Sequence, residues 1–140
     1  MTGATDGKKG TLSMWVREGQ DGTTDGILTA FNVNACQVTR ISGGYWRVLC
    51  DNSASTTILI CGTTAALNVA AGWTHIAASW DQSVPVLQVY VNGSSDACGN
   101  AGPTTTNDTI AYHTNNDGDV VGSLTGANYL TGDLADVYFD

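Results

Sequence analysis

The sequence predicts an all-β domain, a two-sheet antiparallel sandwich, on three observations. Apolar residues recur with period two in segment after segment, as strands with one buried face require. Gly, Asn and Asp interrupt those segments at the short intervals typical of antiparallel connections. No segment sustains a 3.6-residue apolar period with capping residues, so residues 65–71 hold a turn of helix at most.

Leu12, Met14 and Val16 share one face of a first strand over residues 10–17, and Trp15 falls on the other. A Gly- and Thr-rich loop over 18–26 leads to a second strand over 27–32. Strands over 35–41 and 45–50 flank Ser42-Gly43-Gly44, a hairpin turn that sets Cys36 opposite Cys50. Asp51-Asn52-Ser53-Ala54 turns the chain into a strand over 56–61, which completes a meander. Residues 72–81 form a long strand with Thr74, Ile76, Ala78 and Trp80 on one face and Trp73, His75, Ala77 and Ser79 on the other. A strand over 86–91 ends at Asn92-Gly93, a strong turn signal. Residues 94–107 read as loop, short strands are expected near 109–112 and 119–122, and a strand over 132–139 closes the chain. With no repeat or linker, residues 10–140 read as one domain preceded by an arm, residues 1–9.

The 140 residues are 42% hydrophobic, enough to bury a core. Only 13% are charged, so Thr, Ser, Asn and Gly must cover the surface. The net charge is −8, and Lys8, Lys9, Arg17, Arg40 and Arg47 form no basic stripe. That excludes nucleic acid as a partner and disfavours an anionic membrane surface. No apolar stretch is long enough to span a bilayer as a helix, and the first residues contain no apolar leader segment, which points to synthesis in a cytoplasm. The four cysteines include no CxxC pair and read first as small buried apolar residues. If they oxidise, three pairings are open, and Cys36–Cys50 is the best placed.

Three segments together resemble laminin-G-like domains of the concanavalin A-like jelly roll: residues 10–17 (GTLSMWVR), residues 72–81 followed by 87–93 (GWTHIAASWD and LQVYVNG), and residues 132–139 (GDLADVYF). The resemblance implies a jelly-roll sandwich with the last strand beside the first. The opening DGKKGTLSMWVR, the loop DGTTDGIL and the closing ADVYFD are also similar to laminin-G-like proteins of tailed bacteriophages. Those proteins usually continue past the final strand, whereas this sequence stops at Asp140.

Catalytic chemistry finds little footing. Glycoside hydrolysis needs two carboxylates flanking the scissile bond. Glu18 is the single glutamate, and Asp133 and Asp136 fall on opposite faces of a regular strand. No G-x-S-x-G occurs, His75 has no neighbouring nucleophile in sequence, and His113 sits in a loop, so the chain reads as a non-enzyme. Asn115, Asp117 and Asp119 alternate in an oxygen-rich stretch that could ligate calcium, against the plainer reading of a solvated Asx turn. The loop from Asp21 to Gly26 is a weaker candidate. Trp46 and Trp80 are in phase with core residues, whereas Trp15 and Trp73 are out of phase and could stack a sugar or pack under a loop.

Two functions follow as expectations. The phage likeness implies a virion structural protein, a capsid decoration or cement or tail-surface subunit. It would dock on capsid or tail proteins as an oligomer or lattice, with the arm ordering on contact. The alternative is a lectin-like module that binds cell-surface glycan, with Trp15 and Trp73 as its aromatic contacts.

Overall fold

The alternating segments become strands in a computed structural model, which describes residues 7–19, 25–30, 36–41, 43–67, 69–84, 86–99, 107–111, 120–121, 123–124 and 128–140. The strands are β1 (Lys9–Glu18), β2 (Asp25–Ala30), β3 (Cys36–Ile41), β4 (Tyr45–Asp51), β5 (Thr57–Gly62), β6 (Trp73–Asp81), β7 (Val86–Val91), β8 (Ser94–Asp96), β9 (Val120–Val121), β10 (Ser123–Leu124), β11 (Asn128–Tyr129) and β12 (Gly132–Phe139). A 3-10 turn, Val69–Ala71, falls inside the segment expected to hold one turn of helix. The first sheet has the order β12-β1-β6-β7-β8 and the second β5-β4-β3-β2-β9, with β10-β11 as a small ribbon. All pairings are antiparallel, and the last strand lies beside the first. This is the jelly-roll sandwich that the resemblance implied.

The core is the sum of the in-phase positions. Leu12, Met14 and Val16 of β1 and Ile76, Ala78 and Trp80 of β6 face Val38 of β3, Trp46 and Val48 of β4 and Leu59 of β5. A large apolar side chain contributes about 1.5–3 kcal/mol when fully buried. Gly43 and Gly44 turn β3 into β4 with φ of 91° and 83°, and Gly44 N donates to Ile41 O at 3.0 Å. Two successive positive φ values suit a tight hairpin and favour glycine at both positions.

One lateral side of the sandwich is stitched shut between β5 and the β6–β8 region. A disulfide joins Cys61 of β5 to Cys98 just after β8. Gly99 N donates to Gly62 O at 2.8 Å, and the Thr64 hydroxyl donates to Asp96 Oδ2 at 2.8 Å. The buried Gln82 Nε2 donates to Ile58 O at 2.8 Å. A second disulfide, Cys36–Cys50, links β3 to β4 on the core face, across the register pair the hairpin sets. All four cysteines are therefore oxidised, not free buried thiols. The Cys61–Cys98 pair escapes sequence reasoning because it crosses between sheets.

A buried ion pair joins the sheets elsewhere. Glu18, the last residue of β1, lies 3.4 Å from Arg40 of β3, and their side chains are 3% and 1% exposed. Removing both charges from water is costly, and their proximity offsets part of that cost.

Several expectations need correction. β1 begins at Lys9, not Gly10, because Gly7 already bridges to Ile110 and Lys8 O accepts from Gln82 N. Residues 1–6 of the expected arm lie outside the described residues. β2 starts two residues earlier than expected. Residues 94–96 are a strand, not loop: Asn92-Gly93 reverses the chain and β8 pairs with β7. Its Ser-Ser-Asp sequence lacks apolar alternation because it lies at a sheet edge. Of the strand expected near 109–112, the described residues show only the Ile110 bridge. β12 is not regular. Ser13 pairs with Tyr138 and Trp15 with Ala135, so Asp136 (φ 51°) and Val137 form a bulge opposite Met14.

Replacing either member of the buried pair leaves the other charge without its counterion. Glu18→Ala or Arg40→Ala is expected to lower the unfolding free energy by about 3–5 kcal/mol. Urea denaturation checks this, with the joint replacement Glu18→Leu/Arg40→Met costing less than either single change.

The outer face of the first sheet as candidate functional site

Because β1 and β6 bury their even positions, their odd positions point away from the second sheet. The antiparallel register then sorts the outward residues into rows. Asp133, Arg17 and Trp73 form the first row, and Ala135, Trp15 and His75 the second. Tyr138, Ser13, Ala77, Tyr90 and Ser95 form the third, across all five strands. Thr11, Ser79 and Gln88 form the fourth, and Lys9, Asp81 and Val86 the fifth.

The first two rows are a cluster of aromatic and polar groups. Trp15 is 39% exposed and Trp73 43%, far above the core tryptophans Trp46 and Trp80. The Arg17 guanidinium lies over the Trp73 ring, 5.3 Å from its centroid. Arg17 Nε donates to Asp133 Oδ2 at 2.9 Å, so one carboxylate fixes the stacked cation. Trp15 and His75 are tilted ring neighbours with centroids 5.0 Å apart. A 2.9 Å hydrogen bond joins Ser13 Oγ to His75 Nε2. Asn92 closes the end of this row: its Oδ1 accepts from His75 N at 2.9 Å.

At the opposite end of the face, Lys9 Nζ is 2.9 Å from Asp81 Oδ2. They line a shallow depression of about 500 Å³ with Thr11, Ser79, Val86 and Asp140. The Ser83 hydroxyl hydrogen bond, reinforced by Lys9, pulls the Asp81 pKa down to about 2. Such a group cannot serve as the protonated acid that glycoside hydrolysis needs near neutral pH. Asp133 lies eight residues along β1 from this end, about 27 Å at the usual strand rise, too far to pair with Asp81 across one bond. Glu18 is buried against Arg40 and out of reach of a substrate.

The structure thus places the candidate contacts Trp15 and Trp73 on one face, in adjacent rows. Cys36 and Cys50 lie in the core as a disulfide. Asn115, Asp117, Asp119 and His113 lie outside the described residues, as does most of the Asp21–Gly26 loop. Among the described residues no group of three His, Cys, Asp or Glu side chains could hold a metal ion. Sequence reasoning passed over Arg17, His75 and Asp133 as partners of the tryptophans. Arg17 and His75 were findable, since each is in phase with a tryptophan of its own strand. Tyr138 was not, because the β12 bulge changes its phase.

The depressed Asp81 pKa has a pH consequence. A carboxylate whose folded pKa lies below its ordinary value of 3.8 adds stability above that value and loses it as pH falls toward about 2. Asp81→Asn is expected to lower the urea midpoint at about pH 6 and to approach the parent protein only as the pH falls below about 2, as paired urea titrations would record.

A family model described as the concanavalin A-like lectin/glucanases superfamily, of laminin-G type, matches residues 2–139. Among solved structures, a Bacteroides ovatus protein assigned to carbohydrate binding is similar, with TM-score 0.72, 18% identity, and coverage of 99% of this chain and 38% of that one. Domain 4 of the extracellular arabinanase AbnA from Geobacillus stearothermophilus, in complex with arabinotriose, has TM-score 0.61 and 16% identity over 97% and 61% of the two chains. A heptameric SAP-like pentraxin from Limulus polyphemus has TM-score 0.62 and 18% identity over 96% and 64%. The chain spans less than two thirds of the length of each. A search of curated proteins found no match.

Proposed function

Because the chain belongs to the concanavalin A-like lectin/glucanases superfamily, we propose that it is a non-catalytic carbohydrate-binding module whose binding surface is the outer face of the first sheet. The observation that carries the reading is the pair of outward tryptophans, Trp15 and Trp73, each with a polar partner held beside it. A sugar ring offers an apolar C–H face and a rim of hydroxyls. An indole supplies rigid apolar area for the first, and Arg17, Asp133, His75 and Ser13 supply donors and acceptors for the second. Arg17 and His75 are already held by Asp133 and Ser13, so little side-chain freedom is lost on binding. Fold likeness alone does not assign function, but similar folds include a domain in complex with arabinotriose, which supports the reading.

The virion reading, with capsid or tail proteins as partners, rests on the likeness of short segments, and most of the Asp21–Gly26 loop falls outside the described residues. An aromatic face with fixed polar partners favours a hydroxyl-rich ligand over it. The two disulfides support a working place in oxidising surroundings, where glycans of cell surfaces are met, rather than a reducing cytoplasm.

A glycan array followed by calorimetry tests the proposal. Trp73→Ala is expected to weaken binding by about tenfold or more, the equivalent of about 1.4 kcal/mol. Its thermal midpoint should stay close to that of the parent protein, because the ring is not in the core. Unchanged affinity in both Trp73→Ala and Trp15→Ala would remove this face from consideration.

A further inference from the structure

We infer that the ligand is an extended chain of neutral sugars lying along β1 and β6, with a second contact zone in the depression beside Lys9 and Asp81. The inference rests on the carbohydrate reading above. The two zones stand on the same face of the same two strands, at opposite ends of one continuous register from Arg17–Trp73 to Lys9–Asp81. That run covers nine residues of β1, about 27 Å over its eight steps at the usual strand rise. One sugar ring spans only a fraction of it.

The floor between the zones is built for passage. From the tryptophan rows into the depression its outward residues are Ser13 and Ala77, then Thr11 and Ser79 of the depression itself, all short. In the third row Tyr138 of β12 and Tyr90 of β7 stand on the two sides of the Ser13–Ala77 pair. In that row the low floor is flanked by two phenol rings and is open along the strand direction. Tyr138 is 55% exposed, and the Tyr90 hydroxyl donates to Gln88 Oε1 at 3.2 Å, so both flanks offer polar edges to hydroxyls. Short residues at two consecutive outward positions on each of β1 and β6, with bulkier ones beside the Ser13–Ala77 pair, match a rod-shaped ligand. A single terminal sugar would use one end alone.

Charge selects the class. Each cation at the two ends is matched by a carboxylate, Arg17 by Asp133 and Lys9 by Asp81. The chain as a whole carries a net charge of −8. An anionic polysaccharide would meet a repelling field without an unmatched cation on the track to draw it. A neutral polymer meets neither difficulty.

The test is calorimetry of the whole chain with neutral ladders: cello-, xylo-, manno- and arabino-oligosaccharides, each from trisaccharide to hexasaccharide. In the ladder that binds, the hexasaccharide is expected to bind about tenfold or more tighter than the trisaccharide. Ser79→Arg should obstruct the floor and bring the hexasaccharide down to the trisaccharide level. Amide shifts on the parent protein give a reading that needs no variant. The hexasaccharide should move Thr11 and Ser79 as well as Trp15 and Trp73. Equal affinity for both lengths, with shifts confined to Trp15 and Trp73, overturns the track and leaves the carbohydrate reading standing. So does binding restricted to charged glycans. Absence of binding to any glycan, neutral or charged, overturns both.

Discussion

The β1–β6 register is the constraint on which the rest of the structure depends. Nine consecutive residues of β1 pair with nine of β6, and β12 pairs along the other side of β1. Side chains alternate with a period of two, so a one-residue slip would exchange the faces of the whole strand. Leu12, Met14 and Val16 would then meet water, and Trp15 and Arg17 would enter the core. The apolar pattern of both strands excludes that slip. The same choice that builds the core therefore places Trp15, Trp73 and His75 outside, in adjacent rows. Site and core are two faces of one register.

The two sheets are held together by different means. Apolar packing between them has no direction of its own. Glu18–Arg40 adds a directional contact at the end of β1, and the Cys61–Cys98 disulfide with its neighbouring hydrogen bonds closes the β5–β8 side. The ion pair sits directly after Arg17 in β1, so it anchors the end of the strand that carries the Arg17–Trp73 stack. Rigidity beneath the face follows from this placement. A platform whose strand ends are fixed loses little order when a ligand lands on it.

Local pattern made most of the fold legible in the sequence. The in-phase runs in β1 and β6 and the Gly43-Gly44 hairpin could be read directly, because period and turn chemistry are properties of neighbouring residues. The opposition of Cys36 and Cys50 followed from that hairpin. What was not legible depends on distant parts of the chain. Cys61 and Cys98 meet only because two sheets stack. Glu18 read as the first residue of the loop over 18–26, and only Arg40 from the other sheet explains its burial. The β12 bulge moves Tyr138 onto the outer face against simple alternation, and Asp136 takes a positive φ there. The phase of Trp15 and Trp73 marked them as outward, but the partnership of Arg17 with Asp133 needed β12 to be placed beside β1.

The carboxylates argue for binding over catalysis more firmly than any missing motif does. Hydrolysis of a glycoside requires one carboxyl group kept protonated and a second one close by. Among the described residues, three acids at or beneath this face are each paired with another group. Glu18 faces Arg40 inside the sandwich, Asp133 holds Arg17 over Trp73, and Asp81 is held in its ionised form by Ser83 and Lys9. These pairings fix side chains in position and lower the proton affinity of Asp81, the opposite of what a general acid needs. They are what a recognition surface needs: charges cancelled in pairs, aromatic faces left open, and polar atoms fixed before the ligand arrives. A face organised in this way suits the binding role proposed for it, with shape and hydroxyl pattern as its means of discrimination.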